Sequence, residues 1–256
     1  MKLSLKNKTF FLNKPYHLFE IDNFISNEDY KNLLKSFPSA EYFQGEDGSK
    51  AKDMFSSSDE KFNDFLEKNN NWKDFFESFN NDKFLRSAFF STLNANLKAR
   101  GMTALKMWTF NKNNVLFFLR PFFRELQVTF MFSRIFKQKS ILPHTDIPSK
   151  FLSMIYYFPD ELWSENEGGN TVFWKSIKNK NKWKNWENRH LKEDEYENFK
   201  ADHSILHESK YQQNKLVGFV KNDISWHSVD TIRPKLNNVR NTLNIFVRIK
   251  VKAIQK

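Results

Sequence analysis

Apolar residues recur at helical spacing over much of the first hundred positions, which predicts three amphipathic helices. The first helix follows a capping-box pattern at Ser26 and Asp29. The second starts near Ser58, and the third covers about 82–99. Their apolar positions are Tyr30, Leu33, Leu34 and Phe37, then Phe62, Phe65 and Leu66, then Phe84, Leu85, Phe89, Phe90, Leu93 and Leu97. Polar breaks at about 45–52 and 69–71 separate these helices.

After Gly101 short apolar runs replace the helical spacing, and several of them alternate as strands do. The strand-like runs are 126–136, 151–158, 216–220, 225–229 and 242–251. Proline, glycine and Asn-Asp pairs separate these runs. Many short strands with turn signals and no alternating helices predict an antiparallel sandwich or barrel.

Length and composition favour one soluble, globular domain over 1–256. Hydrophobic residues make up 39% of the chain and include 29 Phe, enough for a substantial core. Within this domain we expect a mostly helical flank with an entry strand over 1–120 and a β-rich core over 121–256. A polar, charged segment over about 175–210 is expected to form a long insert between two strands.

The chain contains no cysteine, which excludes disulfides, thiolate metal sites and cysteine nucleophiles. Charged residues interrupt the N-terminus and the apolar runs are short, so we expect a cytoplasmic protein that does not contact a membrane. The formal net charge of +11 keeps nucleic acid or an anionic glycan open as a partner. The lysines are nevertheless spread along the whole chain, as general composition bias would also produce.

A His-x-Asp pattern lies at His144 and Asp146, and a further histidine, His227, lies on an apolar strand after a turn. On a strand, residues i and i+2 face the same side, so His144 and Asp146 would both point into a barrel. Taken singly, the first pattern is typical of a surface turn, and His227 is typical of a hydrogen-bonded core histidine. Their order along strands of this character favours a shared metal site.

Arg240 and Thr242 share a face at the start of the last predicted strand. A guanidinium inside a barrel is costly to bury unless it meets a carboxylate. The pair therefore favours a carboxylate-binding position, although Arg240 taken singly is also typical of a surface arginine at a strand end. Arg233 is an alternative for this role, but the proline that follows it favours a loop.

Together these residues resemble the motif of the Fe(II)/2-oxoglutarate oxygenases, most of all the prolyl-4-hydroxylase-like branch. That motif is His-x-Asp, a distal His, and then an Arg followed by Ser or Thr; here it reads His144-Thr145-Asp146, His227 and Arg240-Asn241-Thr242. The segments 152–158 and 167–173 are also similar to strands of that family, and 21–26 to its opening strand and first helix. The resemblance covers about 125–250 well and 15–40 loosely, and the insert departs from it.

The resemblance implies an α+β fold, with a double-stranded β-helix (jelly-roll) core buttressed by N-terminal helices. It implies that His144, Asp146 and His227 bind Fe(II), and that Arg240 and Thr242 bind 2-oxoglutarate. Oxygen would take the last metal position. The reaction would couple decarboxylation of 2-oxoglutarate to oxidation of a C–H bond in an unidentified substrate, such as a peptidyl residue, amino acid, glycan or small molecule.

Two other functions remain open at this stage: a non-catalytic, cupin-like barrel that binds a metal or ligand, and a basic nucleic-acid-binding module. His203 and His207 are four residues apart in the insert, where the polar surroundings predict a solvated helix rather than a metal site. The tryptophans at 174, 183 and 186 could form a stacking surface for sugars or bases, or pack onto the barrel.

Overall fold

The computed structural model describes residues 1, 3, 8–43, 52–79, 107–108, 124–136, 138–178, 181–233 and 239–249. The predicted helix over 82–99 lies outside these ranges, as does most of the predicted loop over 45–52. Within these ranges the chain forms four α-helices and thirteen strands in two sheets. None of these helices is both long enough and apolar enough to cross a bilayer.

The helices are α1 (Asn27–Lys35), α2 (Lys61–Lys68), α3 (Asn70–Phe79) and α4 (Glu193–Asp202), with short 3₁₀ turns at Ala40–Tyr42, Glu165–Glu167 and Asn181–Trp183. The strands are β1 (Lys8–Leu12), β2 (Leu18–Ile21), β3 (Lys52–Ser56), β4 (Met107–Trp108), β5 (Arg124–Phe136), β6 (Ile141–Thr145), β7 (Lys150–Tyr157), β8 (Thr171–Ser176), β9 (Arg189–His190), β10 (His203–Ser209), β11 (Leu216–Val220), β12 (His227–Val229) and β13 (Val239–Ile249).

The first two predicted helices are confirmed as α1 and α2. Ser26 caps α1, because its hydroxyl accepts a hydrogen bond from the Asp29 N–H at 3.1 Å. The predicted break at 69–71 is a single residue, and α3, which was not predicted, begins directly after it. The Asn69 side chain closes α2 by donating to the Phe65 carbonyl at 2.8 Å.

The larger sheet has the strand order β1-β2-β11-β7-β13-β5-β3, with β4 beside β5. Its pairs are antiparallel except for β4 and β5. The smaller sheet is antiparallel in the order β10-β8-β12-β6-β9. Along the chain, β5 to β8 alternate between the sheets, and β10 to β13 alternate again. This mixed architecture fits the predicted jelly-roll core.

The N-terminal helices pack on one face of the larger sheet. Phe132 of β5 meets the Trp72 ring of α3 at 4.8 Å between centroids, and Tyr156 of β7 stacks on Phe75 at 5.8 Å. All four side chains are fully buried. Burial of each such aromatic side chain stabilises the fold by roughly 2–3 kcal/mol. The opposite face of the sheet is turned toward the smaller sheet and lines a cavity between the two.

The five predicted strands are confirmed as β5, β7, β11, β12 and β13, with ends shifted by up to three residues. The flank contains more sheet than predicted, since β1, β2 and β3 accompany its helices. The insert is also shorter than predicted. Its last part forms β10, which pairs with β8, and the described part of the excursion between these strands contains the 3₁₀ turn Asn181–Trp183, β9 and α4.

The prediction of a solvated helix around His203 and His207 is wrong, because both residues lie on β10. The His203 ring stacks on Phe199 at 3.9 Å. The His207 ring stacks on Phe10 and shares a hydrogen bond with the Glu20 carboxylate at 2.9 Å. These contacts hold the two side chains on different neighbours, so they do not form a common site.

A separate apolar cluster lies beneath the insert. Trp174 and Trp183 pack there against Phe199 and Trp226, and all four are buried. Trp186 is 41% exposed. Packing of the insert onto the barrel therefore accounts for two of the three tryptophans that suggested a stacking surface.

Candidate metal centre

His144 and His227 lie side by side on adjacent strands of the smaller sheet. They are register partners in the β6–β12 pair, and their ring centroids are 4.1 Å apart. Both line a cavity of about 510 Å³ between the sheets. Thr145, between His144 and Asp146, points the other way and donates to the Glu187 carbonyl at 2.7 Å. The alternation expected of a strand thus directs His144 and Asp146 into the cavity together.

Backbone carbonyls fix the orientation of both imidazoles. The Nδ1 atom of His144 lies 3.0 Å from the Leu142 carbonyl oxygen, and Nδ1 of His227 lies 3.3 Å from that of Ser225. A carbonyl oxygen only accepts, so each Nδ1 carries the proton and each Nε2 keeps its lone pair. These carbonyls are the orienting groups that metal-binding histidines need, and the sequence could not identify them.

The electrostatic surroundings keep both histidines neutral. Burial lowers the pKa of His227 to about 4. Burial, and then the neighbouring His227, lower the pKa of His144 well below its usual value. Neutral imidazole is the form that binds a metal ion, so both rings are ready to do so at neutral pH.

The Asp146 carboxylate is ionised, and both of its oxygens already accept hydrogen bonds within the protein. Its two oxygens accept hydrogen bonds from the Lys150 ammonium and the Ser153 hydroxyl, both at 2.5 Å. Burial alone would raise the pKa of Asp146, but the positive charge of Lys150 and these hydrogen bonds hold it well below its usual range. Among the described residues, no three His, Asp or Glu side chains already have the geometry of a metal site. A metal ion at the two histidines would therefore require Asp146 to exchange at least one of these contacts.

Arg240 lines the same cavity from β13 and is only 2% exposed. Its Nε donates to the Gly169 carbonyl at 2.5 Å, and its Nη2 donates to the Thr171 hydroxyl at 3.0 Å. Tyr157 and Tyr211 flank the guanidinium, with ring centroids 5.3 and 5.0 Å from its central carbon. These contacts fix the plane of the guanidinium without neutralising its charge.

The other two candidates for carboxylate binding lie elsewhere. Thr242 is fully buried, and its hydroxyl shares a hydrogen bond with Ser133 at 2.7 Å; Ser133 is the member of that pair that lines the cavity. Arg233 is exposed and lines a different pocket with Gly168 and Asp230. The structure thus gathers Arg240 with the two histidines and Asp146, and it separates Arg233 from them.

Several cavity residues escaped the sequence analysis. Lys52 and His190 come from β3 and β9, two short strands that the apolar pattern did not predict. The His190 ring stacks on His144, with centroids 4.7 Å apart and planes 5° from parallel. Ser153 carried a usable signal, because it is a polar residue inside the apolar run of β7.

No protein-family model and no curated protein matches the sequence. Solved structures do align with the fold at low sequence identity. A prolyl-4-hydroxylase from Pseudomonas putida aligns over 92% of this chain and 94% of its own, with 11% identity and a TM-score of 0.49.

Two further solved structures align at a similar level. A prolyl hydroxylase from Trichoplax adhaerens, in complex with a hypoxia inducible factor peptide fragment, shows 11% identity and a TM-score of 0.47, covering 91% of this chain and 83% of its own. HygX from Streptomyces hygroscopicus, bound to nickel, 2-oxoglutarate and hygromycin B, gives 9% identity, a TM-score of 0.47 and the same coverage. We base the functional assignment on the contacts of this chain's own residues.

Proposed function

We propose that this chain is a non-haem Fe(II), 2-oxoglutarate-dependent dioxygenase, a hydroxylase that is built on a double-stranded β-helix core. The alternation of β5–β8 and of β10–β13 between two facing sheets supports that core. The observation that carries the function is one cavity lined by two neutral imidazoles, an ionised carboxylate and a buried guanidinium.

The donor set fits a divalent iron centre. His144 and His227 would bind through Nε2, and Asp146 would supply the negative charge that lowers the cost of holding a divalent ion. Two imidazoles and one carboxylate leave coordination positions open for other ligands. When bound, Fe(II) and 2-oxoglutarate supply the activation of O₂ that oxidises a C–H bond. Ser153 can keep its hydrogen bond to one Asp146 oxygen while the other turns to the metal.

Arg240 is the residue that favours 2-oxoglutarate over other metal ligands. None of the ion pairs among the described residues involves Arg240, although its guanidinium is almost completely buried. A buried cation without a carboxylate partner is costly, and an incoming carboxylate removes that cost. Tyr157 and Tyr211 wall the guanidinium on its faces. The far carboxylate of 2-oxoglutarate would therefore bind at Arg240, with Thr242 supporting it through Ser133.

The two alternative functions make weaker use of these residues. A metal- or ligand-binding barrel without redox chemistry has no need of a buried arginine that forms no ion pair within the described part of the chain. A nucleic-acid-binding module would be expected to present its cations on an exposed face, whereas Arg240 points into the cavity. The acceptor of the reaction, whether a peptidyl residue, an amino acid, a glycan or a small molecule, is left open by the fold.

An anaerobic titration tests the proposal directly. Fe(II) and then 2-oxoglutarate would be added to the protein, and the visible metal-to-ligand charge-transfer absorption followed. We expect a band in the wild type, no band in His227→Ala, and a roughly hundredfold weaker 2-oxoglutarate affinity in Arg240→Ala, as expected for loss of a buried charge-assisted pair.

Matched controls separate these losses from general damage. Arg233→Ala removes the same charge from an exposed position outside the cavity, and His207→Ala removes a histidine that belongs to a different contact. Both should give the wild-type band. Absence of a band in well-folded wild-type protein would overturn the oxygenase assignment.

A further inference from the structure

Lys52 is the first residue of β3, at the edge of the larger sheet. Its register partner on β5 is Ile135, and Ile135 in turn pairs with Arg240 on β13. Lys52 and Met54 alternate onto the same face of β3, and both line the cavity that contains the two histidines. The sheet thus places the Lys52 side chain on the cavity wall opposite the smaller sheet.

The charges around the cavity do not balance. Among the described residues that line it, Lys52, Lys150 and Arg240 are cationic and Asp146 is the one carboxylate, so this part of the lining has a net charge of +2 when the histidines are neutral. Lys150 is paired with Asp146. The +2 charge of a divalent metal ion and the −2 charge of 2-oxoglutarate cancel. Binding of both would therefore leave the positive excess of the lining unchanged.

Lys150 is paired with Asp146, and Arg240 is assigned to the far carboxylate of 2-oxoglutarate, which leaves Lys52 without an anion among the described residues. Its ammonium forms no hydrogen bond or ion pair with any residue in the described part of the chain. Burial, and then the like charges of Lys150 and Arg240, lower the pKa of Lys52 to about 8, so at neutral pH it stays protonated at a cost. An uncompensated cation in a cleft is characteristic of a ligand-binding group.

We propose that Lys52 binds an anionic group of the substrate, a carboxylate or a phosphate, beside the metal centre. That the occupant is the molecule being oxidised rests on the proposed function; that it is anionic rests on Lys52. The cavity is also lined by apolar side chains such as Met54, Met131, Ile141 and Val229. They fit the carbon skeleton of such a substrate and offer no competing anion.

Inorganic phosphate and acetate are suitable probes, because they represent the two candidate groups without requiring the substrate. Binding of each would be measured by calorimetry, first to the metal-free protein and then under nitrogen with Fe(II) and saturating 2-oxoglutarate. The variants are Lys52→Met, which removes the charge, Lys52→Arg, which keeps it, and the control Lys175→Met on an exposed position of β8.

We expect saturable binding of at least one anion, weakened roughly tenfold or more in Lys52→Met, the usual effect of losing a hydrogen bond to a charged group. Lys52→Arg and Lys175→Met should bind as the wild type does. The anion that binds more tightly distinguishes a phosphate from a carboxylate.

Equal anion binding by the wild type and Lys52→Met would overturn the proposal. It would also be overturned if Lys52→Met lost affinity for 2-oxoglutarate instead, because Lys52 would then serve the co-substrate. Failure of the proposed function has a different signature, which is the absence of the charge-transfer band in every variant. In that event the metal-free titration still decides whether Lys52 binds an anion.

Discussion

Replacing Lys52 by methionine is expected to raise the free energy of unfolding at pH 7, although it removes a group that we assign to binding. The Lys52 pKa lies at about 8 instead of 10.5. At about 1.4 kcal/mol per pH unit, this difference corresponds to roughly 3 kcal/mol of lost stability. Because the side chain is partly exposed, solvent screens some of the cost. We therefore expect a gain of about 1–2 kcal/mol in the variant.

The pH dependence fixes the sign of this effect. The folded state binds the Lys52 proton less tightly than the unfolded chain does, so the penalty is complete below pH 8 and shrinks as the pH rises toward 10.5. The gain from Lys52→Met should be largest near pH 7 and small near pH 10. Methionine also adds apolar packing, but that contribution does not change with pH. The pH-dependent part of the difference therefore measures the charge.

Urea unfolding followed by tryptophan fluorescence at pH 7 and pH 10 provides the measurement. Lys175→Met serves as the control, since the same substitution at an exposed position should change stability little at either pH. The reasoning is refuted if Lys52→Met and the wild type differ by the same amount at both pH values.

Three other perturbations test the site and the core. Mn(II) should stabilise the wild type by about 2.7 kcal/mol at a hundred times its dissociation constant, and a thermal scan should show no such gain in His227→Ala. Gly168→Ala should lower the free energy of unfolding measured in urea by roughly 1–3 kcal/mol. Gly168 has φ +76°, and an added Cβ would collide with the Thr231 carbonyl. Phe132→Ala should cost about 3–5 kcal/mol, whereas Ile205→Ala, at a half-exposed residue, should stay within about 0.5 kcal/mol of the wild type. If Phe132→Ala lowers the free energy of unfolding by no more than the 0.5 kcal/mol or so expected for Ile205→Ala, Phe132 is not a core residue.

Patterns that repeat over many residues predicted the fold well. β5, β7 and β13 are long, and each contains several apolar residues that mark it as a strand. β3 has five residues and follows a polar stretch, so its two buried positions gave no recognisable period. α3 escaped because asparagines surround its start, although the only break lies at Asn69. Helix breaks of one residue depend on a local side-chain bond that composition does not reveal.

Some residues of the site could likewise be predicted from the sequence, whereas the contacts around them could not. His144 and Asp146 could be paired from their i, i+2 spacing, and their order with His227 and Arg240 followed the family pattern. The contacts that set the state of these groups are tertiary. Lys150 and Ser153 reach Asp146 from the next strand, and the Lys52 position depends on strand pairing across the sheet.

β9 also affects how the protein behaves toward other copies of itself. It consists of only Arg189 and His190, yet it pairs with β6 and occupies the outer edge of the smaller sheet. Without it, the strand that carries His144 would present unpaired N–H and C=O groups to solvent, which is a template for pairing with another chain. Arg189 adds a charge to that edge and is held by Glu195 of α4 at 2.5 Å. Shortening the insert would therefore be expected to cause self-association through β6.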